Sequence, residues 1–507
     1  MALSPAPAET EDTSLRGGRL GVLGIVFYVV AAASPLVGMT GGLPVATVLG
    51  NGAAVPGAYL AAGIVLLLFS VGYAALSQRV TNTGAFFAYV GRGLGIGPGV
   101  GSAYVSLIAY IAVQLAIYGF FGAVMRDQMS GKLGIDLSWW VWALLAWAVV
   151  LVLSAFSVDV GAKLLGVLMV LEIGSLVLTS IAVFLHGGGP EGVDFAASFA
   201  PKNIFAGGLT GSAGIALAFA FASFLGFEAT AIYGEESKDP KRTVPIATYL
   251  AVTFITVLFA LTTFAVITAL GASHAVEETV KRSTVHGVPL ADSAQVIFSV
   301  ATQYVGSWLA TLMSWLVLSS LFAGLLAFQN SAARYFFSMG RAGVLPSRLD
   351  RVNRAGAPLL ASVVTSVITG VVIVLFAVTG KDPVLNLFFW FSGLAVVAIV
   401  LVEFLVCFAV MAYFRRHPEG ISVWKTTIAP ILAALGLLVG EYLLMSRFGL
   451  LAGTVAKGVD PTKQTWGLNF LGYALILLPF AAFLVGTAVG TVRRRGENAA
   501  AVADLVG

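Results

Sequence analysis

Charge is scarce in this sequence. Asp, Glu, Lys and Arg make up 10% of its 507 residues, where a soluble domain averages about 25%. A chain so poor in charge, 59% hydrophobic and with a mean hydropathy of +0.96, reads as a polytopic membrane protein whose first partner is the lipid bilayer. Cysteine is almost missing. The one residue, Cys407, falls inside an apolar run, which excludes a disulfide within the chain. The four histidines, His186, His274, His286 and His417, lie outside the apolar runs at wide spacing, and neither HExxH nor CxxC occurs. No metal site and no cofactor are expected. GxxxxGK[ST] is also missing, so ATP is not the energy source. The Gly-dense run 91–101 lacks GxGxxG spacing and follows no strand, which excludes a dinucleotide loop. Period-two alternation in segments of about 10 residues is missing as well, which excludes a membrane β-barrel. Residues 1–15 have no apolar core, so 1–19 read as a disordered cytoplasmic N-terminus rather than a signal peptide. An isoelectric point near 9.1 would hint at nucleic acid in a soluble protein; here it is assigned to cytoplasmic loops, with no nucleic-acid partner.

What the chain does have is apolar runs long enough to span a bilayer, about 20 residues each. Backbone in lipid must pair internally, so these are helices. Twelve are read: 20–49, 57–76, 98–124, 138–156, 161–185, 209–233, 246–270, 303–329, 358–378, 384–413, 426–445 and 468–490. An even number puts both termini on one side. With that side cytoplasmic, it carries 19 of the 28 Lys and Arg residues, the bias expected of inner loops. The expectation is a multi-pass protein of the cytoplasmic membrane with a C-terminal tail over 491–507. Trp139, Trp140 and Trp142 at the head of the fourth span read as interfacial anchors. An amphipathic segment, AFFAYVGRGLG, precedes the third span, and LADSAQVIFSV in the outer segment 271–302 reads as a short helix.

Two spans are interrupted. In the first, Pro35 removes a backbone donor and disfavours helix at Ser34, and Gly38, Gly41, Gly42 and Pro44 follow. Close packing through the Gly38–Gly42 GxxxG pair is the alternative reading. In the sixth, Ala222, Ser223 and Gly226 interrupt apolar sequence just before Glu228. Interruptions five spans apart fit two inverted halves, about 20–185 and 209–413, whose breaks meet at the bilayer midplane. Helices 11 and 12, within 414–490, are additions. A broken helix frees backbone N–H and C=O groups, which suit an amino acid zwitterion. Its carboxylate fits N–H groups at a half-helix N-terminus, around Leu36, Val37 and Gly38. Its ammonium fits carbonyls near Ala222, Ser223 and Phe224 and before Ser34, at Ala33. Glu228 is an ionisable group inside a span, where function is the default explanation; a protonated Glu bonded to a neighbouring helix is the structural one. Glu403 and Glu441 also lie in spans; a functional role and a structural one, paired with a polar neighbour or at a helix flank, both stay open. Four scattered Glu and no intramembrane His argue against a membrane-embedded enzyme. A channel or receptor would not need paired broken spans.

Three stretches resemble the amino acid–polyamine–organocation permeases. They are Phe224-Leu225-Gly226-Phe227-Glu228 with Glu236-Ser237-Lys238-Asp239-Pro240-Lys241-Arg242-Thr243-Val244-Pro245, Asn82-Thr83-Gly84-Ala85-Phe86-Phe87-Ala88-Tyr89, and Arg334 through Gly343-Val344-Leu345-Pro346. The resemblance covers most of the chain and implies an all-α, LeuT-like fold with broken helices 1 and 6. It implies secondary transport of an amino acid or related amine by alternating access. Aligned loosely with the family, Tyr110, Gln114 and Phe328 become walls of the substrate site, and Glu172 falls where some relatives carry a lysine tied to proton coupling. The chain departs from the family at Ala33-Ser34-Pro35-Leu36-Val37-Gly38, where Gly-Ser-Gly is common. It also has small Ala222 where several relatives have an aromatic gate, and Arg341-Ala342-Gly343 in place of Arg-Asp-Gly. The expectation is proton-coupled import, with Glu172 or Glu228 as the proton site; sodium coupling and a polyamine or amino acid exchanger are the alternatives.

Overall fold

The computed structural model describes residues 21–80, 85–155, 162–232, 237–285, 287–418 and 420–493. The expected disordered N-terminus, most of the C-terminal tail, Asn82-Thr83-Gly84 and Glu236 lie outside the described residues. Among those described there is no strand, only helices and isolated bridges. Among the described residues, nine helices are long and apolar enough to cross a membrane, or ten if one bent pair counts as a span.

The principal helices, in chain order, are α1 (Val22–Ala33), α2 (Pro35–Val37), α3 (Val55–Ser77), α4 (Ala85–Leu94), α5 (Ile96–Leu133), α6 (Trp139–Ser154) and α7 (Ala162–Leu185). Then come α8 (Ala213–Ala222), α9 (Ala229–Ile232), α10 (Pro240–Leu270), α11 (Gln295–Tyr304), α12 (Ser307–Arg341), α13 (Leu359–Val378), α14 (Phe389–Arg416), α15 (Ala429–Ala452) and α16 (Phe470–Arg493). The segment 22–77 holds the first two expected spans. Non-helical backbone at Gly50 (φ −99°, ψ −123°) and Gly52 (φ +60°) parts them. The amphipathic segment is α4 and the outer short helix is α11.

Helix ends follow local chemistry. Gly134 in the left-handed region donates to Met129 and Ser130 carbonyls and stops α5, the usual glycine C-cap. Asp382 accepts from the N–H groups of Val384 and Leu385, at 2.8 and 2.7 Å, where the chain leads into α14. An acidic cap there complements the helix dipole.

α5 is the central post. It packs on α12, α14 and α16, and small residues allow the approach. A Cβ on Gly101 would sit 2.7 Å from the Phe483 carbonyl, and one on Gly486 2.8 Å from the Gly101 Cα. Rows of Val and Leu, such as Val167, Val170, Val371 and Val374, face outward, as a lipid-facing surface requires. The tryptophans divide. Trp140 is exposed, whereas Trp139 is buried where α5 approaches it at Gly122.

Candidate functional site

The first break is set by two adjacent residues. Pro35 has no N–H to give Ala31, and Ser34 takes φ 46°, ψ 68°, a left-handed conformation costly for a residue with a Cβ. Its hydroxyl donates to the Ala31 carbonyl at 3.0 Å and to the Ser320 carbonyl at 3.2 Å. Beyond it the chain resumes in α2 and runs through wide, π-type turns over Gly38–Gly42.

The donors freed by this break are not idle. Leu36 N–H, which an unbroken helix would give to Ala32, donates instead to Glu172 Oε1 at 2.5 Å. Val37 and Gly38 N–H both donate to the Ser34 carbonyl, at 2.9 and 3.2 Å. The expectation of free donors at Leu36, Val37 and Gly38 is therefore revised: a carboxyl from α7 stands at the mouth of the half-helix. Ser320 of α12 donates to the same oxygen at 2.8 Å. Glu172 is buried, so these two bonds replace part of its lost hydration.

The second break repeats the arrangement with local parts. α8 ends at Ala222, a run of turns covers 223–228, and α9 follows. Gly226 has φ +102°, a region that favours glycine. Glu228 Oε2 accepts Gly226 N–H at 3.0 Å, and its Oε1 accepts the Tyr110 hydroxyl at 2.7 Å. Tyr73 of α3 donates to the Glu228 carbonyl at 3.0 Å. Two of the carbonyls expected to be free are used in turns: Leu225 N–H donates to Ala222 and Phe227 N–H to Phe224, each at 3.1 Å. The Ser223 hydroxyl donates to Phe219 at 2.8 Å.

The two breaks touch. A Cβ on Gly226 would lie 2.6 Å from the Ala32 Cβ and 3.8 Å from the Phe328 ring. One on Gly38 would lie 2.7 Å from the Phe259 ring and 3.2 Å from Ser223 Oγ. Of the residues expected at the site, Ala33 through Gly38, Ala222, Ser223, Phe224, Gly226, Tyr110, Phe328, Glu172 and Glu228 line or adjoin this junction. The Tyr110 and Phe328 rings are 6.3 Å apart. Gln114, one turn along α5 from Tyr110, has a partner of its own. Its amide donates to Gln329 Oε1 at 2.7 Å, and Gln329 donates on to the Ser362 carbonyl and Ser366 hydroxyl.

Sequence reading missed Ser320, Tyr73 and Tyr335, whose ring lies 5.1 Å from that of Tyr110. The signal available for Ser320 was a hydroxyl within an apolar span, too common to single out. Glu403 and Glu441 are neither flanking nor paired. Both are buried, and Glu403 Oε2 and both Glu441 oxygens have no hydrogen-bond partner.

Among the described residues no three His, Cys, Asp or Glu are grouped to hold a metal. A separate cavity of about 670 Å³ lies between the end of α5, α11 and the start of α12, lined by Asp127, Gln128, Lys132, Asp292, Gln295 and Ser314 among others. Burial lifts the Asp292 carboxyl above its ordinary value against the bonds it accepts from Gln295 and Ala294.

A sequence profile of the family described as Amino acid permease matches residues 24–496. The chain is 22% identical to the Amino-acid permease GAP5 of Candida albicans, over 83% of this chain and 66% of that protein. It is 25% identical to the Branched-chain amino acid permease BcaP of Lactococcus lactis, over 75% of this chain and 78% of that one. It is also 25% identical to the Aspartate-proton symporter of Bacillus subtilis, over 59% of this chain and 56% of that protein. The chain thus spans just under two thirds of the Candida protein and little more than half of the Bacillus one.

Proposed function

The chain belongs to the amino acid permease family, transporters and not enzymes, and from that premise we propose that it carries an amino acid across the cytoplasmic membrane together with a proton. The proposed architecture is LeuT-like: twelve spans, inverted halves over about 20–185 and 209–413, two added helices, and both termini cytoplasmic. Supporting it are breaks in α1–α2 and α8–α9 that lie against each other, five spans apart. Trp139–Ser154, with 16 residues, is the short apolar helix that would supply the fourth span.

One observation carries the coupling. Glu172 holds the N–H of Leu36, the donor that a substrate carboxylate at this break would use. Ionised, Glu172 is the stronger acceptor, because charge-assisted bonds are about twice as strong as neutral ones. Protonated, it releases the donor to the substrate. Proton and amino acid then bind cooperatively, which is what symport needs. Glu228 acts differently. It ties Gly226 and Tyr110 together on the side of the aromatic cluster of Phe69, Tyr73, Phe86, Tyr89 and Phe227, and its protonation loosens that closure. Relatives named for branched-chain amino acids and for aspartate with a proton leave the side chain open and support the zwitterion and the proton.

The test is uptake of a labelled mixture of proteinogenic L-amino acids into proteoliposomes under an imposed pH gradient. Accumulation that collapses with the gradient supports the reading. Accumulation driven by sodium alone, or exchange without accumulation, supports sodium coupling or an exchanger instead.

A further inference from the structure

Two buried carboxyls remain outside the site. Glu403 on α14 and Glu441 on α15 have three oxygens between them that are buried without a hydrogen-bond partner. A carboxyl so placed loses its hydration with nothing in return, an expensive arrangement that packing alone does not require.

Close contacts fix their levels. A Cβ on Gly393 would meet Phe448 at 2.7 Å, and one on Gly72 would meet Pro430 at 2.9 Å and Val410 at 3.1 Å. α14 and α15 are therefore antiparallel, with Gly393 level with Phe448 and Val410 level with Pro430. At 1.5 Å rise per residue, Glu441 and Glu403 are offset by about 5 Å along the bundle. Glu403 stands about 10 Å from the Gly72 level, where Tyr73 reaches the Glu228 main chain. Glu441 is the farthest of the three from that level, toward the end of α15 at Ala452. It follows Gly440, whose Cβ would lie 2.8 Å from Phe221, next to the sixth-span break. α14 packs directly on α15 and also on α3 and α8.

We propose that Glu441 and Glu403, set apart from the substrate site, form with Glu228 a file of carboxyls that passes protons to the break in the sixth span. Each step moves one H⁺ from a carboxyl to the next carboxylate along a short chain of waters, and the donor stays ionised until it is refilled from the Glu441 end. On α14 itself Cys407 lies one turn from Glu403. α8 brings none. α3, α4 and α5 contribute Tyr73, Tyr89, Arg92 and Tyr110. α16 carries Tyr473 and Arg493 near its ends, the segment leading into α15 carries Lys425, and Arg447 lies on α15 itself, bound to main-chain carbonyls. The inference rests on the proton-coupled reading above.

The experiment uses full-length protein in proteoliposomes with an internal pH dye and the labelled amino acid mixture. Glu441→Gln and Glu403→Gln should each slow gradient-driven uptake and its accompanying acidification roughly tenfold or more. Amino acid exchange at equal pH should stay near wild type, and Glu403→Asp should restore part of the loss. In parallel, wild-type protein is treated with dicyclohexylcarbodiimide, which adds to protonated carboxyls in apolar surroundings, and its peptides are weighed. Adducts on Glu403 and Glu441 support the file even where a variant fails to fold. Wild-type protein that moves no protons with substrate sinks the coupled reading and the file together. Proton movement in wild type that both Gln variants retain at full rate overturns the file alone, as does carbodiimide labelling at neither residue.

Discussion

The two breaks solve one problem with parts of different origin. At each, an N–H freed by a broken helix is taken by a buried glutamate. At the second break that glutamate is local: Glu228 binds the N–H of Gly226, two residues earlier. At the first it is borrowed: Glu172 comes from α7, 136 residues along the chain from Leu36. A local cap travels with its break. A borrowed cap depends on where α7 stands, and a ligand can replace it. On the proposed reading, Glu172 competes with the substrate and Glu228 holds one side shut.

Substitutions can break or sharpen this contrast. The largest effect is expected from Gly226→Leu. Its positive φ and a Cβ 2.6 Å from Ala32 displace the second break bodily, and a misplacement of about 1 Å can cost roughly a hundredfold in rate. Uptake should vanish with expression near wild type; normal uptake would dissolve the idea that the breaks form the site. Next is Glu172→Gln, which keeps shape but cannot titrate. Gradient-driven accumulation should be lost while exchange persists and no longer varies with pH. Tyr110→Phe removes a hydrogen bond to Glu228 worth about 1.5–3 kcal/mol if that group is charged. Exchange should speed up as the closure weakens, whereas an unchanged rate would leave Glu228 without its latch role. Ser320→Ala removes one donor to Glu172, worth about 1 kcal/mol. It should raise apparent substrate affinity a few-fold, since Glu172 then competes less well.

The smallest effect lies away from both breaks and serves as a control. Bonds from the Ser273 hydroxyl and N–H and from His274 hold Glu191 down at about 2, from an ordinary 4.5. A lowered folded-state value means that stability is present above the ordinary value and is lost as pH falls from about 4.5 toward about 2. Glu191→Gln should flatten the acid side of the melting curve slightly and leave uptake unchanged.

The breaks were legible in the sequence because their causes are local. Pro35 has no donor to give, and Gly226 tolerates a conformation that other residues resist. The short helices α4 and α11 were legible for the same reason, through periodicity. Which group fills a freed donor is a tertiary fact. No spacing rule links Leu36 to Glu172, or Gln114 to Gln329. Depth was equally hidden. Glu403 and Glu441 read alike as span residues, and only the packing of α14 on α15 leaves their oxygens without partners.

Proton uptake on binding tests the central claim most directly. Detergent-solubilised protein in weakly buffered solution is mixed with the proteinogenic L-amino acids at matched pH, and the bulk pH change is read. If Glu172 yields Leu36 to the substrate by accepting a proton, wild type takes up about one proton for each substrate bound and Glu172→Gln takes up none. Equal uptake by the two proteins, with binding intact in both, would contradict it.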